Sequence, residues 1–184
     1  MKNLIYKFFL IALTFTTFSC SDSSDHTIDV LLDTYTTGAF IRTLDIISDE
    51  LDLNDTSSFM EIVVEEQDEE FGGLLESLEI WITFVDRSDP DNNTVETLGK
   101  TYLPSDFTTS PDGLPMTTIM FTYAELLTIT GADQSIIANN DQMDLRLVLN
   151  LTDGRSFTNT DVNGNVSAGL FFQAAMFFSI KIKN

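Results

Sequence analysis

The sequence is poor in the side chains that most enzymes and structural metal sites use. Its 184 residues include one cysteine, Cys20, and one histidine, His26. A single cysteine excludes a disulfide framework, and one histidine cannot complete a Cys/His zinc site. The sequence also contains no nucleophile elbow, phosphate-binding loop, HExxH motif or dinucleotide fingerprint. The composition therefore favours a non-enzymatic protein without a resident cofactor.

Basic residues are scarce as well. The chain has 9 Lys and Arg against 29 Asp and Glu, a net charge of −20. The first nineteen residues hold two of the lysines and no acid, so the remaining 165 residues carry −22. Such a charge repels nucleic acid and anionic lipid headgroups, so both are poor partners and no nucleic-acid binding is predicted. The 15 phenylalanines exclude a disordered acidic tail, and 165 residues suit one domain with a core.

The N-terminus has the pattern of an export signal. Two lysines precede the apolar stretch 8–18, which is too short for a membrane-spanning helix and typical of a signal peptide. The Phe-Ser-Cys sequence that follows resembles a bacterial lipobox, in which the cysteine is lipidated and becomes the first residue. We therefore predict a signal peptide over residues 1–19 and lipidation of Cys20. The membrane is then a partner through the lipid anchor, since two or three acyl chains hold a protein stably.

The rest of the chain divides into a tether and a domain. Residues 20–34 are predicted to be an acidic flexible tether, and residues 35–184 a β-sandwich domain. Apolar residues alternate with others along this domain, which is the pattern of half-buried strands. The clearest segments are 78–85 and 143–151, and further candidates are 39–47, 59–65, 95–103, 116–121 and 177–183.

Two local motifs interrupt the strands. Thr122 and Glu125 form a capping box that predicts one short helix, which Gly131 can end. Asp153-Gly154 predicts a tight hairpin with positive φ at both central residues. The fold class predicted is all-β, a single antiparallel Greek-key sandwich of immunoglobulin type with one short helix. A small β-barrel is the alternative.

Aromatic residues are the candidate ligand contacts. Trp81 lies, by parity, on the opposite strand face to Ile80 and Ile82, beside Glu79 and Thr83. An exposed indole there suits the C–H face of a sugar, with Tyr102 as a second aromatic residue. Packing within the sandwich, or a protein interface, is the alternative role of Trp81.

Oxygen-rich segments are the candidate cation sites. Asp86, Asp89, Asp91 and Asn93 lie in one loop and offer the hard oxygens that calcium prefers, although a plain turn gives the same pattern. The acidic run 65–70 is interpreted as a solvated, mutually repelling strand end. Cation binding and a pair of catalytic carboxylates are the alternatives, and the second requires two acids that face each other across a cleft.

Several segments carry a family resemblance. After Cys20, the run Ser-Asp-Ser-Ser-Asp resembles the surface-export signal of Bacteroidetes lipoproteins. The segments 38–44, 64–68, 80–86 and 149–155 are similar to small lipoproteins that accompany Sus-like nutrient-uptake loci. This resemblance implies an outer-membrane, surface-exposed location and an accessory role beside a TonB-dependent transporter and a SusD-like protein. The implied ligand is a neutral glycan or a peptide. A structural or adhesin-like module without a small-molecule site remains the alternative.

The lipidation prediction has a direct test. A Cys20→Ala variant should leave the membrane fraction, because the thiol that carries the lipid is removed. Cell fractionation and immunoblotting measure this, and unchanged membrane association of the variant would contradict lipidation at Cys20.

Overall fold

The computed structural model describes residues 38–161 and 176–184, which belong to one compact unit, Thr37–Asn184. Ten strands and one α-helix lie in these residues. The strands are β1 (Phe40–Ser48), β2 (Glu50–Asp52), β3 (Phe59–Gln67), β4 (Leu75–Val85), β5 (Thr97–Tyr102), β6 (Thr108–Thr109), β7 (Pro115–Thr122), β8 (Gln142–Leu151), β9 (Ser156–Phe157) and β10 (Phe177–Lys183). The helix is α1 (Tyr123–Thr130), and short 3-10 turns lie at Pro90–Asn92 and Pro104–Asp106.

The strands form two sheets that pack as a sandwich. Sheet A has the order β1-β3-β7-β6, and sheet B has the order β2-β10-β8-β4-β5, with β9 added to β8. These orders reproduce the ABED and GFC arrangement of immunoglobulin-type sandwiches, with β5 as the added C′ strand. The predicted all-β sandwich with one short helix is confirmed. One pairing departs from the antiparallel pattern, since β2 joins the edge of sheet B parallel to β10.

Alternation along β4 and β8 places the core between the sheets. Ile80 pairs with Leu147 and Ile82 with Leu145, and all four side chains are fully buried. Burial of each such side chain contributes about 1.5–3 kcal/mol. Met60, Ile62 and Val64 of β3, among others, close the core from sheet A. The core therefore comes from the inward positions of the segments with the clearest alternation.

The helix forms where the sequence predicts it. Thr122 Oγ1 accepts a hydrogen bond from the Glu125 amide at 3.3 Å, and the Thr122 amide donates to Glu125 Oε2 at 2.8 Å. Gly131 ends α1 with φ of +69°, the left-handed conformation that glycine adopts without strain. The buried side chains of Tyr123 and Leu126 attach α1 to the core. No helix in the described residues is long and apolar enough to cross a membrane.

The hairpin after β8 differs from the prediction. Asn150 pairs with Ser156, and the Leu151 amide donates to the Arg155 carbonyl, so three residues form the loop. Within this hairpin only Gly154 has positive φ, at +86°, whereas the type I′ turn that Asp-Gly favours needs two such residues. The prediction of positive φ at both central residues is therefore wrong. The Asp153 carboxylate instead accepts a bond from the Arg155 amide at 3.0 Å.

The loop between β3 and β4, residues 68–74, folds around the Asp68 carboxylate. This carboxylate accepts hydrogen bonds from the amides of Glu70, Gly72 and Leu74 at 2.7–2.8 Å. Gly72 has φ of +89°, and a Cβ there would lie 2.2 Å from the Pro115 ring. A side chain at this position would thus be strained by both the backbone conformation and the close approach of β7.

Substitution of Gly72 tests this close approach. We expect Gly72→Ala to lower the free energy of unfolding by about 1–3 kcal/mol more than Gly113→Ala does, because overpacking adds to the backbone strain. Gly113 is the matched control, since its φ is +87° and no atom lies within 4 Å of the position that an added Cβ would take. Urea unfolding of both variants measures the difference, and equal losses would contradict the proposed clash with Pro115.

Candidate functional site

The outer face of sheet B carries a cross-strand row that contains Trp81. Trp81 pairs with Leu98 of β5 on one side and with Arg146 of β8 on the other, and Arg146 pairs with Phe177 of β10. Residues directly opposite each other in antiparallel strands share a face, so these four side chains lie side by side. Trp81 is half-buried, whereas Leu98 and Phe177 are each 42% exposed. The row is a partly apolar strip across four strands.

Polar groups hold Trp81 and Arg146 in place. The indole Nε1 donates a hydrogen bond to Glu79 Oε2 at 2.9 Å, and the Arg146 guanidinium carbon lies 5.8 Å from the indole centroid. Arg146 also binds both carboxylate oxygens of Glu96, at 2.7 and 2.6 Å. This fork-like pair lowers the pKa of Glu96. The aromatic ring is thus fixed among one cation and two carboxylates.

A bulge brings Leu98 onto this face. The register between β4 and β5 shifts between Ile80 and Trp81, so that Ile80 pairs with Lys100 and Trp81 with Leu98. Gly99 is the extra residue, and a Cβ there would lie 2.4 Å from Ile82 Cδ1. Glycine at the bulge lets the strand approach the core closely, and a larger residue there would displace the Ile82 side chain.

A second row of hydrogen-bonding side chains follows the first. Ser179 Oγ donates to Asp144 Oδ1 at 2.6 Å, and Gln142 Nε2 donates to the same oxygen at 2.8 Å. Asp144 pairs with Thr83 of β4, next to Trp81 along the strand face. An aromatic ring beside carboxylates, an amide and hydroxyls can stack on a sugar ring and bind its hydroxyl groups.

The structure does not bring Tyr102 to this face. Tyr102 pairs with Leu78, which is fully buried, and only 4% of Tyr102 is exposed. Its hydroxyl has no hydrogen-bond partner, and the Lys100 ammonium lies 4.5 Å from the centroid of its ring. The two aromatic residues singled out from the sequence therefore lie on opposite sides of sheet B.

The structure also contains a groove that residue patterns in the sequence did not indicate. Its volume is about 400 Å³, and it lies between α1 and strands β5 and β7. Its walls come from segments that are distant in the chain, which explains why residue patterns did not reveal it. The residues that line it include Lys100, Met120, Phe121, Glu125, Thr128 and Ile129.

The acidic loop after β4 is bonded to itself. Asp86 accepts bonds from the Ser88 and Asp89 amides, the Ser88 hydroxyl and the Asn92 side chain, at 2.7–2.9 Å. These bonds, that from Asn92 first, lower the pKa of Asp86. Asn93 Oδ1 accepts from the Asp86 amide at 2.8 Å.

The other two predicted calcium ligands of this loop, Asp89 and Asp91, lie at the start of the 3-10 turn and within it. Asp89 caps the turn by accepting a bond from the Asp91 amide at 3.2 Å. Within residues 38–161 and 176–184, no group of three or more acidic, histidine or cysteine side chains is placed to hold a metal ion. The side-chain oxygens of Asp86, Asp89 and Asn93 thus accept hydrogen bonds from donors within the loop.

The structure of the acidic run 65–70 corrects its interpretation as a solvated strand end. Glu65 and Glu66 are fully buried rather than solvated, because β3 continues through them to Gln67 and pairs on both sides. Glu65 Oε1 binds the Arg42 guanidinium at 2.5 Å on the outer face of sheet A. Glu66 follows the inward parity of Ile62 and Val64. The two carboxylates therefore point to opposite faces and do not face each other across a cleft.

Glu66 is the most perturbed acid of the described residues. Neither of its carboxylate oxygens has a hydrogen-bond partner. Burial raises the pKa of Glu66 to about 8, and repulsion from Asp68 and Glu65 adds to the effect. The group is consequently a neutral carboxylic acid at pH 7.

The predicted lipidation site, Cys20, and the predicted signal peptide and tether lie outside the described residues. Comparison of the sequence with models of protein families and with curated proteins finds no match. The fixed indole on the outer face of sheet B is the principal structural basis for a functional proposal.

The buried acid Glu66 predicts a pH-dependent stability. The folded chain keeps this proton up to about pH 8, whereas the unfolded chain loses it near pH 4.5, so stability falls as the pH rises through that window. Glu66→Gln removes this contribution. Between pH 5 and pH 8, we expect the unfolding free energy of the parent to fall by about 2–4 kcal/mol more than that of the variant.

Urea unfolding at a series of pH values measures this change. Val64→Ala, on the same face of β3, is the control. Removal of the two buried methyl groups of Val64 should lower the free energy of unfolding equally at every pH. Parallel pH profiles for the parent and Glu66→Gln would show that Glu66 titrates normally in the folded chain.

Proposed function

We propose that this protein is a non-enzymatic, lipid-anchored module of the outer-membrane surface that binds a neutral glycan or a peptide for nutrient uptake. The observation that carries the proposal is the half-buried Trp81, fixed on the outer face of sheet B between Glu79 and Arg146. An indole in this setting offers an apolar surface for a sugar ring, with polar groups within reach of its hydroxyls.

The sequence supports the location in this proposal. The lipobox-like N-terminus with Cys20 supplies an anchor, and the resemblance to Sus-associated lipoproteins suggests a TonB-dependent transporter and a SusD-like protein as neighbours. The negative charge of the domain favours neutral ligands over polyanions.

A second candidate function is a structural or adhesin-like interaction module. A specific observation favours it, since sheet A exposes Ile46, Ile47, Phe59 and Met120 by 41–54%. Exposed apolar side chains grouped on one sheet are typical of a protein contact. In this case the contact surface is sheet A, and substitution of Trp81 leaves the interaction intact.

Paired substitutions separate the two candidates. Trp81→Ala should weaken binding to a neutral oligosaccharide about 30-fold, since removal of an aromatic anchor costs roughly 2 kcal/mol. Phe59→Ala, which removes an exposed aromatic residue from sheet A, should leave that affinity unchanged. A glycan array with the parent selects the oligosaccharide, and calorimetry with each variant measures the affinity.

Two results would count against the glycan proposal. One is an array on which the folded parent binds no neutral glycan or peptide. The other is equal affinity of the parent and Trp81→Ala for the selected ligand, which would move the site away from sheet B.

A further inference from the structure

Phe71 lies at the tip of the loop between β3 and β4 and is exposed to solvent. Its exposed fraction is 78%, one of the highest among the large apolar side chains of the described residues. Its φ is +56°, and that of Gly72 is +89°, so two consecutive residues are left-handed. Asn, Asp and Gly adopt this conformation with least strain, and bulky residues rarely do. An exposed side chain gains little packing in return for that strain, a combination found at functional sites.

The loop presents Phe71 on a braced support. Asp68 binds three amides of the loop, and Gly72 packs against the Pro115 ring. The Arg155 guanidinium, on the hairpin after β8, binds the Glu69 carboxylate at 2.6 Å. The tip is therefore fixed by β7 and by the hairpin after β8.

Phe71 is at the end of the sandwich where the chain enters from Cys20. Phe40, the first residue of β1, pairs with Gln67, the last residue of β3, and Asp68 begins the loop. A segment of 17 residues, 21–37, connects this end to Cys20. Once Cys20 is anchored, the chain that leads from the lipid enters the domain at this end.

Several carboxylates around the tip have partners within the domain, whereas Glu70, next to Phe71, is exposed. Glu69 and Asp153 bind Arg155, and Asp112 binds Arg42 at 2.7 Å. The raised pKa of Glu66 keeps that group neutral at pH 7. Internal pairing lowers the repulsion that an acidic domain meets at a headgroup layer. A surface of zwitterionic headgroups suits this end better than an anionic one.

We propose that Phe71 inserts into the headgroup region of the bilayer to which Cys20 is anchored, so that the loop 68–74 rests on the membrane. The proposal rests on the lipid anchor of the proposed function. A weak apolar contact suffices, because the tether converts insertion into an intramolecular event at high effective concentration. Insertion at this end orients the long axis of the sandwich, with the loop after β4 away from the membrane.

The test places a tryptophan at the tip. The lipoprotein, with its native N-terminus, is reconstituted in phosphatidylcholine vesicles, and Phe71→Trp is added while Trp81 is retained. The fluorescence of the added tryptophan is obtained by subtracting the emission spectrum of the parent. We expect this emission to be blue-shifted and to be quenched by brominated phosphatidylcholine. Val95→Trp is the control, since Val95 is 85% exposed and lies near the far end of β4, about 30 Å from the loop. Its emission should stay that of water-exposed tryptophan.

Two controls make the outcome decisive. Mass spectrometry of the same preparation reports whether Cys20 is acylated, so failure of the anchor is seen separately from failure of insertion. Phe71→Asn should unfold at the same or a higher urea concentration than the parent, because asparagine tolerates the left-handed conformation. A marked loss of stability would make Phe71 a structural residue and contradict the proposal.

A lack of insertion would also overturn the proposal. If acylated Phe71→Trp shows no more lipid quenching than Val95→Trp, Phe71 does not contact the bilayer. A braced, exposed aromatic tip would then point to a protein partner with an apolar pocket.

Discussion

The register between β4 and β8 is the constraint on which the rest of the structure depends. Side chains alternate between the faces of a strand, so one register determines both the core and the outer face. In the observed register, Ile80 and Leu147 meet inside the sandwich while Trp81 and Arg146 meet outside. A slip of one residue would bury a charged guanidinium and expose the aliphatic core. The burial of aliphatic side chains therefore also sets the position of the candidate ligand-binding residues.

The large negative charge has structural uses beyond solubility. In two loops, carboxylates accept hydrogen bonds from backbone amides that no backbone carbonyl binds in a sheet. Asp68 and Asp86 each accept several such bonds from neighbouring residues. Others are neutralised by arginine, as in the pair of Arg146 with Glu96. Glu66 is the exception, because it is buried without a partner and keeps its proton. Acids in this chain thus shape loops, orient cations and, in one case, make folding sensitive to pH.

Local patterns predicted much of the fold, whereas features that depend on tertiary contacts were missed. Alternation from Leu78 to Phe84 predicted the inner face of β4, and Thr122 with Glu125 predicted the start of α1. Glu66 is buried because β3 pairs with a strand on each side. The sequence shows only an acidic run, which by itself predicts exposure to solvent. The bulge at Gly99 and the left-handed Phe71 likewise result from contacts across strands and loops. Parity placed Trp81 on the outer face, whereas Tyr102 lies inside because it pairs with the buried Leu78, a tertiary contact that the sequence does not show.

Trp81 is the only tryptophan of the chain, so its fluorescence reports directly on the proposed binding face. The most direct measurement is a titration of the folded protein with a neutral oligosaccharide while Trp81 emission and calorimetric binding are followed together. The account predicts a saturable change in emission with the same dissociation constant as the calorimetric signal. Calorimetric binding that leaves Trp81 emission unchanged would contradict a ligand site on the outer face of sheet B.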